Sequence, residues 1–202
     1  MTLLQDIKKS AERITGWQRP KRKELAELIK ARKPATFRFR DDGKIPNNPY
    51  WPLVVYRAAV QLPKRFDPAA IFEDIFGSNG WGDSWRGEIY KYLHYHSRIH
   101  EVLGVARGSA RVRFGGKKGR TLRIKAGDAV ILPAGTGHQC LNASRDFMAV
   151  GAYPPSGTYD ECGPRLAEHD RGMRAVRRVR RPRKDPLFGS KGPLLSIWSP
   201  KR

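Results

Sequence analysis

Residues 94–108 read HYHSRIHEVLGVARG, and this stretch decides the interpretation of the whole chain. Three of the five histidines of the protein fall within its first seven positions, and the carboxylate of Glu101 follows them directly. Alternate residues of a β-strand point to the same face of a sheet, so His94 and His96 are predicted to point the same way. Imidazoles together with a carboxylate suit Fe, Mn, Ni or Zn. An HxH pair alone is weak evidence, because it also describes an ordinary polar strand face.

The residues before this stretch extend the same alternation. WRGEIYKYLHYH (85–96) predicts one long strand, with a possible bulge at Gly87. Three further side chains then share the face of the two histidines and are candidates to line a pocket: Glu88, Tyr90 and Tyr92. The alternative is that these side chains are ordinary packing residues in the interior of a β-barrel.

A remote histidine offers a further ligand. AGDAVILPAGTGHQCLN (126–142) predicts a strand, a turn at Pro133–Gly135 and then His138 at the start of another strand. Cys140 follows two positions later on the same strand face and is a further candidate to line the pocket. The alternative for Cys140, which we favour, is a small buried residue of the core.

The two segments resemble the two sequence motifs of the cupin superfamily. The first motif is HxH, three or four residues, E, six residues and G, and the matching residues are His94, His96, Glu101 and Gly108. The second is G, five residues, P, x, G, two residues, H, three residues and N, and the matching residues are Gly127, Pro133, Gly135, His138 and Asn142. Every specified position of both motifs is filled.

The resemblance implies an all-β fold, the cupin double-stranded β-helix or jelly-roll barrel, with short flanking helices. It also implies one divalent metal ion held by His94, His96, Glu101 and His138. A straight strand would instead keep His100 beside the first two histidines and turn Glu101 away. The motif favours Glu101, and His100 is then expected beside the site or at the rim of the pocket.

A narrower resemblance covers roughly residues 36–199. FRFRDDGKIPNN (37–48) and DPLFGSKGPLLSIW (185–198) are similar to segments of a group of bacterial single-cupin proteins of unassigned function. We therefore expect a basic helical extension at 1–35, the cupin barrel at 36–162, and a basic C-terminal segment at 163–202 that docks on the barrel.

Local patterns predict the remaining elements. Apolar residues at helical spacing predict helices within residues 3–14 and 21–33, and FDPAAIFEDIFG (66–77) predicts a helix with Asp67 as N-cap and Gly77 just beyond its end. The predicted strands are TFRFR, LVVYRAAV, EVLGVA, ARVRFGG, TLRIKAGDAVILPAG and DFMAVGAY.

The charge is concentrated at the two ends of the chain. The net charge is +21; residues 1–40 carry 12 Lys and Arg against 4 Asp and Glu, and residues 163–202 carry 12 against 3. Nucleic-acid binding is therefore expected only through the basic termini, if at all.

The sequence has no run of about 18 apolar residues, so no membrane span is predicted. Two cysteines, Cys140 and Cys162, are expected to be free thiols, which suits a cytoplasmic protein.

Two functions are compatible with these residues. One is a metal-dependent enzyme of oxygenase, decarboxylase or isomerase type that acts on a small molecule, in which Glu101 also serves as a base. The other is a non-catalytic cupin that binds or senses a small ligand, and the fold alone does not choose between them. A homodimer is the expected assembly.

Overall fold

A computed structural model describes residues 18–199 of the 202-residue chain. The helix predicted within residues 3–14 lies outside these described residues. The strands are β1 (Ala35–Phe37), β2 (Leu53–Tyr56), β3 (Gly82–Gly87), β4 (Glu101–Arg107), β5 (Ser109–Phe114), β6 (Arg120–Lys125), β7 (Ala129–Leu132), β8 (His138–Ala143) and β9 (Met148–Tyr153). The helices are α1 (Arg22–Leu28), α2 (Pro68–Ser78), α3 (Leu166–Val176) and α4 (Pro193–Ile197). Among the described helices, none has the length and apolar composition that crossing a bilayer requires.

The strands form two antiparallel sheets. The larger sheet has the strand order β1-β2-β7-β4-β9-β3, and the smaller sheet has the order β6-β5-β8. Strands that are distant in sequence therefore lie side by side, as β4 does between β7 and β9. The predicted all-β jelly-roll class with short flanking helices is confirmed.

Alternation along the strands divides the apolar residues between two cores. In β2, Leu53 and Val55 pack with residues of the smaller sheet such as Val112 and Phe114, and this cluster fills the space between the sheets. Val54 and Tyr56 belong to the second cluster, on the opposite face of the larger sheet. All four residues of β2 are buried, which explains why its sequence is a continuous apolar run rather than an alternating one.

Helix α2 covers the outer face of the larger sheet. Phe72 packs so closely on β4 that a Cβ atom at Gly104 would clash with its ring, so only glycine fits there. The carboxylate of Asp67 accepts a hydrogen bond from the N–H of Ala69 at 3.0 Å, as its predicted N-cap role requires. The prediction for Gly77 was wrong, because α2 continues through it to Ser78.

The C-terminal segment packs against the same outer face. Leu194 and Trp198 are fully buried members of the outer core cluster. The Tyr56 hydroxyl donates a 2.5 Å hydrogen bond to the buried carboxylate of Asp185, which also accepts from the N–H groups of Leu187 and Leu194. One buried carboxylate therefore orders this part of the segment and ties it to strand β2.

The predicted strand at 85–96 is wrong beyond Gly87. Strand β3 ends there, where Gly87 pairs with Ala149 of the neighbouring strand β9. Residues 88–100 are irregular apart from two isolated bridges. Those bridges join His94 to His138 and Tyr95 to Cys162. The chain thus leaves the larger sheet after β3 and crosses to the smaller one, which a single straight strand could not do.

Two other predicted elements are shorter in the structure. Helix α1 ends at Leu28, because the backbone there turns to bond with residues 59–61: Gln61 N–H donates to Leu28 O at 2.8 Å and Lys30 N–H donates to Ala59 O at 2.8 Å. The predicted strand 53–60 ends at Tyr56 for a related reason, since Ala58 has a positive φ of 45° that breaks the extended conformation.

Candidate metal centre

Four polar side chains meet at one end of the space between the two sheets. His94 and His96 lie in the irregular segment before β4, Glu101 is the first residue of β4, and His138 is the first residue of β8. Reciprocal backbone hydrogen bonds hold His94 and His138 side by side, at 3.2 Å from His94 N to His138 O and 2.9 Å from His138 N to His94 O. Residues from both sheets and from the connecting segment therefore build one site.

The donor atoms of these residues are within reach of a single ion. The ligand nitrogens of His94, His96 and His138 all lie within 4.8 Å of one another. Glu101 Oε2 lies 3.5 Å from His96 Nε2 and 3.4 Å from His138 Nε2. All four side chains are buried. The structure thus brings together the set that the motifs single out, and its role as ligands remains a prediction.

Each imidazole has one nitrogen occupied by a backbone carbonyl. His94 Nδ1 lies 3.2 Å from the carbonyl oxygen of Tyr92, and His138 Nδ1 lies 3.2 Å from that of Thr136. His96 Nδ1 lies 2.5 Å from the carbonyl oxygen of Asp160. A carbonyl oxygen only accepts, so each Nδ1 must carry a proton, and in the neutral ring Nε2 keeps its lone pair. This is the tautomer that binds a metal through Nε2.

The protonation states also fit a cation. Burial lowers the pKa of His94 and lowers that of His138 to about 3, which keeps both rings neutral. Burial alone would raise the pKa of Glu101, but the interaction with His96 outweighs burial and lowers that pKa to about 2. His96 differs: burial would lower its pKa, but the charge of Glu101 outweighs burial and raises that pKa. A divalent ion would therefore compete with a proton for the Nε2 atom of His96.

The two oxygens of Glu101 have different surroundings. Oε1 accepts a hydrogen bond from the Tyr153 hydroxyl at 3.1 Å, and that hydroxyl accepts one from the Trp85 indole N–H at 3.0 Å. Oε2 is buried and has no hydrogen-bond partner among the described residues. A buried carboxylate oxygen without a partner is costly unless a cation neutralises it. A divalent ion between Oε2 and the three imidazoles would remove that cost, so the residues present fit a metal.

We expect Tyr153→Phe to weaken metal binding by roughly tenfold, because Glu101 Oε1 would lose the hydroxyl that fixes the carboxylate. Competition between the protein and a coloured chelator measures this affinity. Tyr159→Phe is the matched control, since its hydroxyl pairs with Glu161 and not with Glu101. Equal affinities of the two variants would show that Tyr153 does not position the ligand.

A cavity of about 790 Å³ opens from these four residues to the surface. Glu88 and Tyr90, which the alternation selects as pocket residues, lie in its wall. Tyr92 is not among the lining residues: it stacks on Tyr90 with ring centroids 4.8 Å apart, and its hydroxyl donates to Glu161. The segment bends after β3, so alternation does not apply along its whole length.

His100 lies on the other side of the larger sheet from the cavity, contrary to the expectation that it lines or borders the pocket. It is fully buried and packs against the rings of both Trp51 and Trp198, at centroid distances of 5.5 and 4.9 Å. Its Nδ1 accepts a hydrogen bond from the N–H of Ala134 at 2.9 Å, and its Nε2 lies 3.1 Å from the carbonyl oxygen of Arg180. Both ring nitrogens are satisfied there, which leaves neither for a metal.

Cys140 is also outside the cavity wall. It is a buried member of the cluster between the sheets, which agrees with the favoured alternative for this residue. Both Cys140 and Cys162 are free thiols, as expected from their sparse use.

Several residues of the site are absent from the sequence-based candidates. Tyr153 could have been found, because alternation along β9 places it on the same inward face as Ala149 and Gly151. Gly151 in turn makes room for the ring of Trp85, with which a Cβ atom would clash. Tyr159 and Asp160 lie in the irregular segment after β9, where no periodicity indicates direction.

Asp160 holds the segment that carries His96. Its carbonyl oxygen receives His96 Nδ1, and its carboxylate accepts hydrogen bonds from the N–H and hydroxyl of Ser97 at 2.9 and 2.5 Å and from the N–H of Arg98 at 3.0 Å. This one residue therefore fixes both the ring and the backbone of the second histidine.

Comparison with known proteins agrees with this architecture. The cupin domain family matches residues 85–150 of the chain. Over 167 residues the chain is 41% identical to the uncharacterized protein YjlB of Bacillus subtilis (strain 168), a match that covers 83% of this chain and 98% of YjlB.

Solved structures that are similar to parts of the chain are more distant. One is acireductone dioxygenase from Bacillus anthracis with a cadmium ion in its active centre, at 17% identity and a TM-score of 0.33, covering 43% of this chain and 59% of that chain. Another is oxalate decarboxylase from Bacillus subtilis at pH 4.6, at 17% identity and a TM-score of 0.35, covering 58% of this chain and 28% of that chain. Less than two thirds of each of those chains is matched, and the likeness concerns the fold alone.

Proposed function

Since this chain belongs to the cupin superfamily and is a relative of YjlB, we propose that it is a metal-dependent enzyme that acts on a small molecule. The reaction would be of oxygenase, decarboxylase or isomerase type. The observation that carries the proposal is Glu101 Oε2, a buried carboxylate oxygen without a hydrogen bond that faces the Nε2 atoms of His96 and His138. Such an oxygen, at the inner end of a large cavity, suits a bound cation that a small molecule can contact from the cavity.

His94, His96, Glu101 and His138 would hold one divalent ion, with Fe, Mn, Ni and Zn as the candidates. When bound, the ion supplies a Lewis acid with open coordination positions for a substrate oxygen. The side chains would contribute the rest. The Tyr153 hydroxyl holds Oε1 of Glu101, and Oε2 faces the imidazoles, so the geometry of this carboxylate supports a ligand rather than the base considered from the sequence.

The cavity wall would orient the substrate and keep bulk water from the metal end. Ile99, Leu103 and Pro154 provide apolar surface beside the ligands. Exclusion of water strengthens electrostatic interactions at the reacting atoms and limits side reactions.

Turnover assays on metal-defined protein test this function. We expect protein reconstituted with one of Fe, Mn, Ni or Zn to convert at least one member of a panel of enols, diols and keto acids. Oxygen uptake, carbon dioxide release and mass spectrometry of products would detect the three reaction types. Chelation should abolish the conversion, and returning the metal should restore it.

A non-catalytic cupin is the alternative outcome. Protein that retains its metal, binds members of the panel and converts none of them would favour a sensor or carrier of a small ligand over an enzyme. Conversion that persists at full rate after chelation would contradict a metal-dependent mechanism.

A further inference from the structure

The charges on the cavity wall restrict the kind of molecule that fits. Apart from the ligand histidines, Arg86 is the one cationic residue among those that line the cavity. Two carboxylates, Asp83 and Glu88, lie in the same wall and are exposed at its outer part. An anionic ligand would therefore depend on Arg86 for any attraction beyond the metal end.

Arg86 is already neutralised by the protein. Its Nε and Nη2 donate to the two carboxylate oxygens of Glu73 at 2.7 and 2.8 Å, and its Nη1 donates to Asp67 at 2.7 Å. A bidentate pair of this kind is the strongest ion-pair geometry available to an arginine. The guanidinium therefore already faces two protein carboxylates, and a third carboxylate from the cavity would compete with Glu73 and Asp67 for its charge.

Aromatic side chains form a further part of the wall. Four rings line the cavity: Trp85, Tyr90, Tyr153 and Tyr159. The Tyr159 ring lies 5.0 Å from that of His96 and 5.4 Å from that of Tyr153, which places an aromatic surface directly beside the metal end. Such rings stack on planar apolar molecules.

The size of the cavity points in the same direction. A volume of about 790 Å³ lies within the range of about 300–1,000 Å³ that is typical of sites for drug-sized organic molecules. A two-carbon acid would leave most of this volume unfilled and most of the aromatic surface in water.

We infer that the cavity takes an uncharged organic molecule with a planar ring, whose oxygen atoms reach the metal end, and that the clamped Arg86 and the wall carboxylates discriminate against carboxylates. This inference rests on the proposed metal-dependent function, because the oxygen contacts require the ion. It names Glu73 as a specificity-determining residue that acts through Arg86.

Two matched probes test the charge preference. Catechol and 3,4-dihydroxybenzoate present the same pair of oxygens and differ by one carboxylate. We expect anaerobic calorimetric titration of metal-containing protein to show about tenfold weaker binding of the acid, since it meets the wall carboxylates and must compete with Glu73 and Asp67 for the charge of Arg86. Equal binding, or tighter binding of the acid, would overturn the inference.

Glu73→Gln provides the decisive variant. It should remove the ion pair that Arg86 makes with Glu73 and so strengthen the binding of the acid. The difference in affinity between the two probes should then narrow to about threefold or less. Arg19 pairs with both Glu73 and Asp74, so Asp74→Asn is the matched control that removes a carboxylate from the same helix and also weakens the pairing of Arg19. The control should keep the difference of about tenfold. An unchanged ratio in Glu73→Gln would show that Arg86 does not set the preference.

The ring preference has its own control. Tyr159→Ala should weaken catechol by about fivefold while leaving acetohydroxamate, an uncharged chelator without a ring, within about twofold. Equal weakening of both probes would contradict stacking. Metal content, determined on the same samples by plasma mass spectrometry, separates the two proposals: protein without metal contradicts the proposed function, whereas metal-loaded protein that prefers the acid contradicts only the substrate class.

Discussion

Replacing His138 with alanine is expected to lower the metal affinity of the protein by at least about a hundredfold, so that it purifies nearly metal-free. The reason is geometric. His138 Nε2 faces Glu101 Oε2 at 3.4 Å, and the rigid start of β8 holds it there. No other histidine could replace it from the described part of the chain, because His100 has both nitrogens engaged and His169 pairs with Asp41 and does not line the cavity.

Metal content by plasma mass spectrometry measures this effect, with His94→Ala as the second ligand variant. His169→Ala is the matched control: it also removes a buried histidine, but one whose Nε2 lies 2.8 Å from a carboxylate oxygen of Asp41. The control should retain the wild-type metal content. Full metal occupancy in both ligand variants would refute the metal centre.

The sequence predicted the ligand set through motif spacing rather than through strand geometry. Alternation in a presumed strand pairs His94 with His96, and the structure does bring them together, but in an irregular segment where their carbonyl contacts and bridges decide direction. At the start of β4 alternation does apply: His100 and Glu101 point to opposite faces of the sheet, Glu101 toward the cavity and His100 toward Trp51.

The cavity wall shows where such reasoning ends. Strands have a period of two, so Tyr153 on β9 follows from its neighbours. Arg86 also lies on a strand, but its partners Glu73 and Asp67 come from α2 and its N-cap. No local sequence pattern indicates that these two carboxylates balance its charge. Tyr159 and Asp160 reach the site from an irregular segment. Charge compensation and loop packing are tertiary properties, and only the fold reveals them.

Trp198→Ala is expected to lower the free energy of unfolding by about 3–5 kcal/mol. Trp198 is fully buried, stacks on Trp51 at 5.4 Å with ring planes 14° apart, and donates its indole N–H to Pro52 O at 2.9 Å. Alanine would leave a large cavity and a buried carbonyl without its donor, and both effects are destabilising. Thermal or urea unfolding measures the change.

The exposed Leu166 of α3 supplies the control, because Leu166→Ala should change stability by no more than about 0.5 kcal/mol. Unfolding of Trp198→Ala at the wild-type midpoint would mean that the C-terminal segment is not part of the cooperative core.

The contacts of Trp198 also connect this segment to the metal centre. Trp198 packs on His100, His100 accepts the N–H of Ala134, and Ala134 lies in the turn that leads to His138. Loss of the tryptophan should therefore loosen the turn that positions a metal ligand, in addition to destabilising the fold.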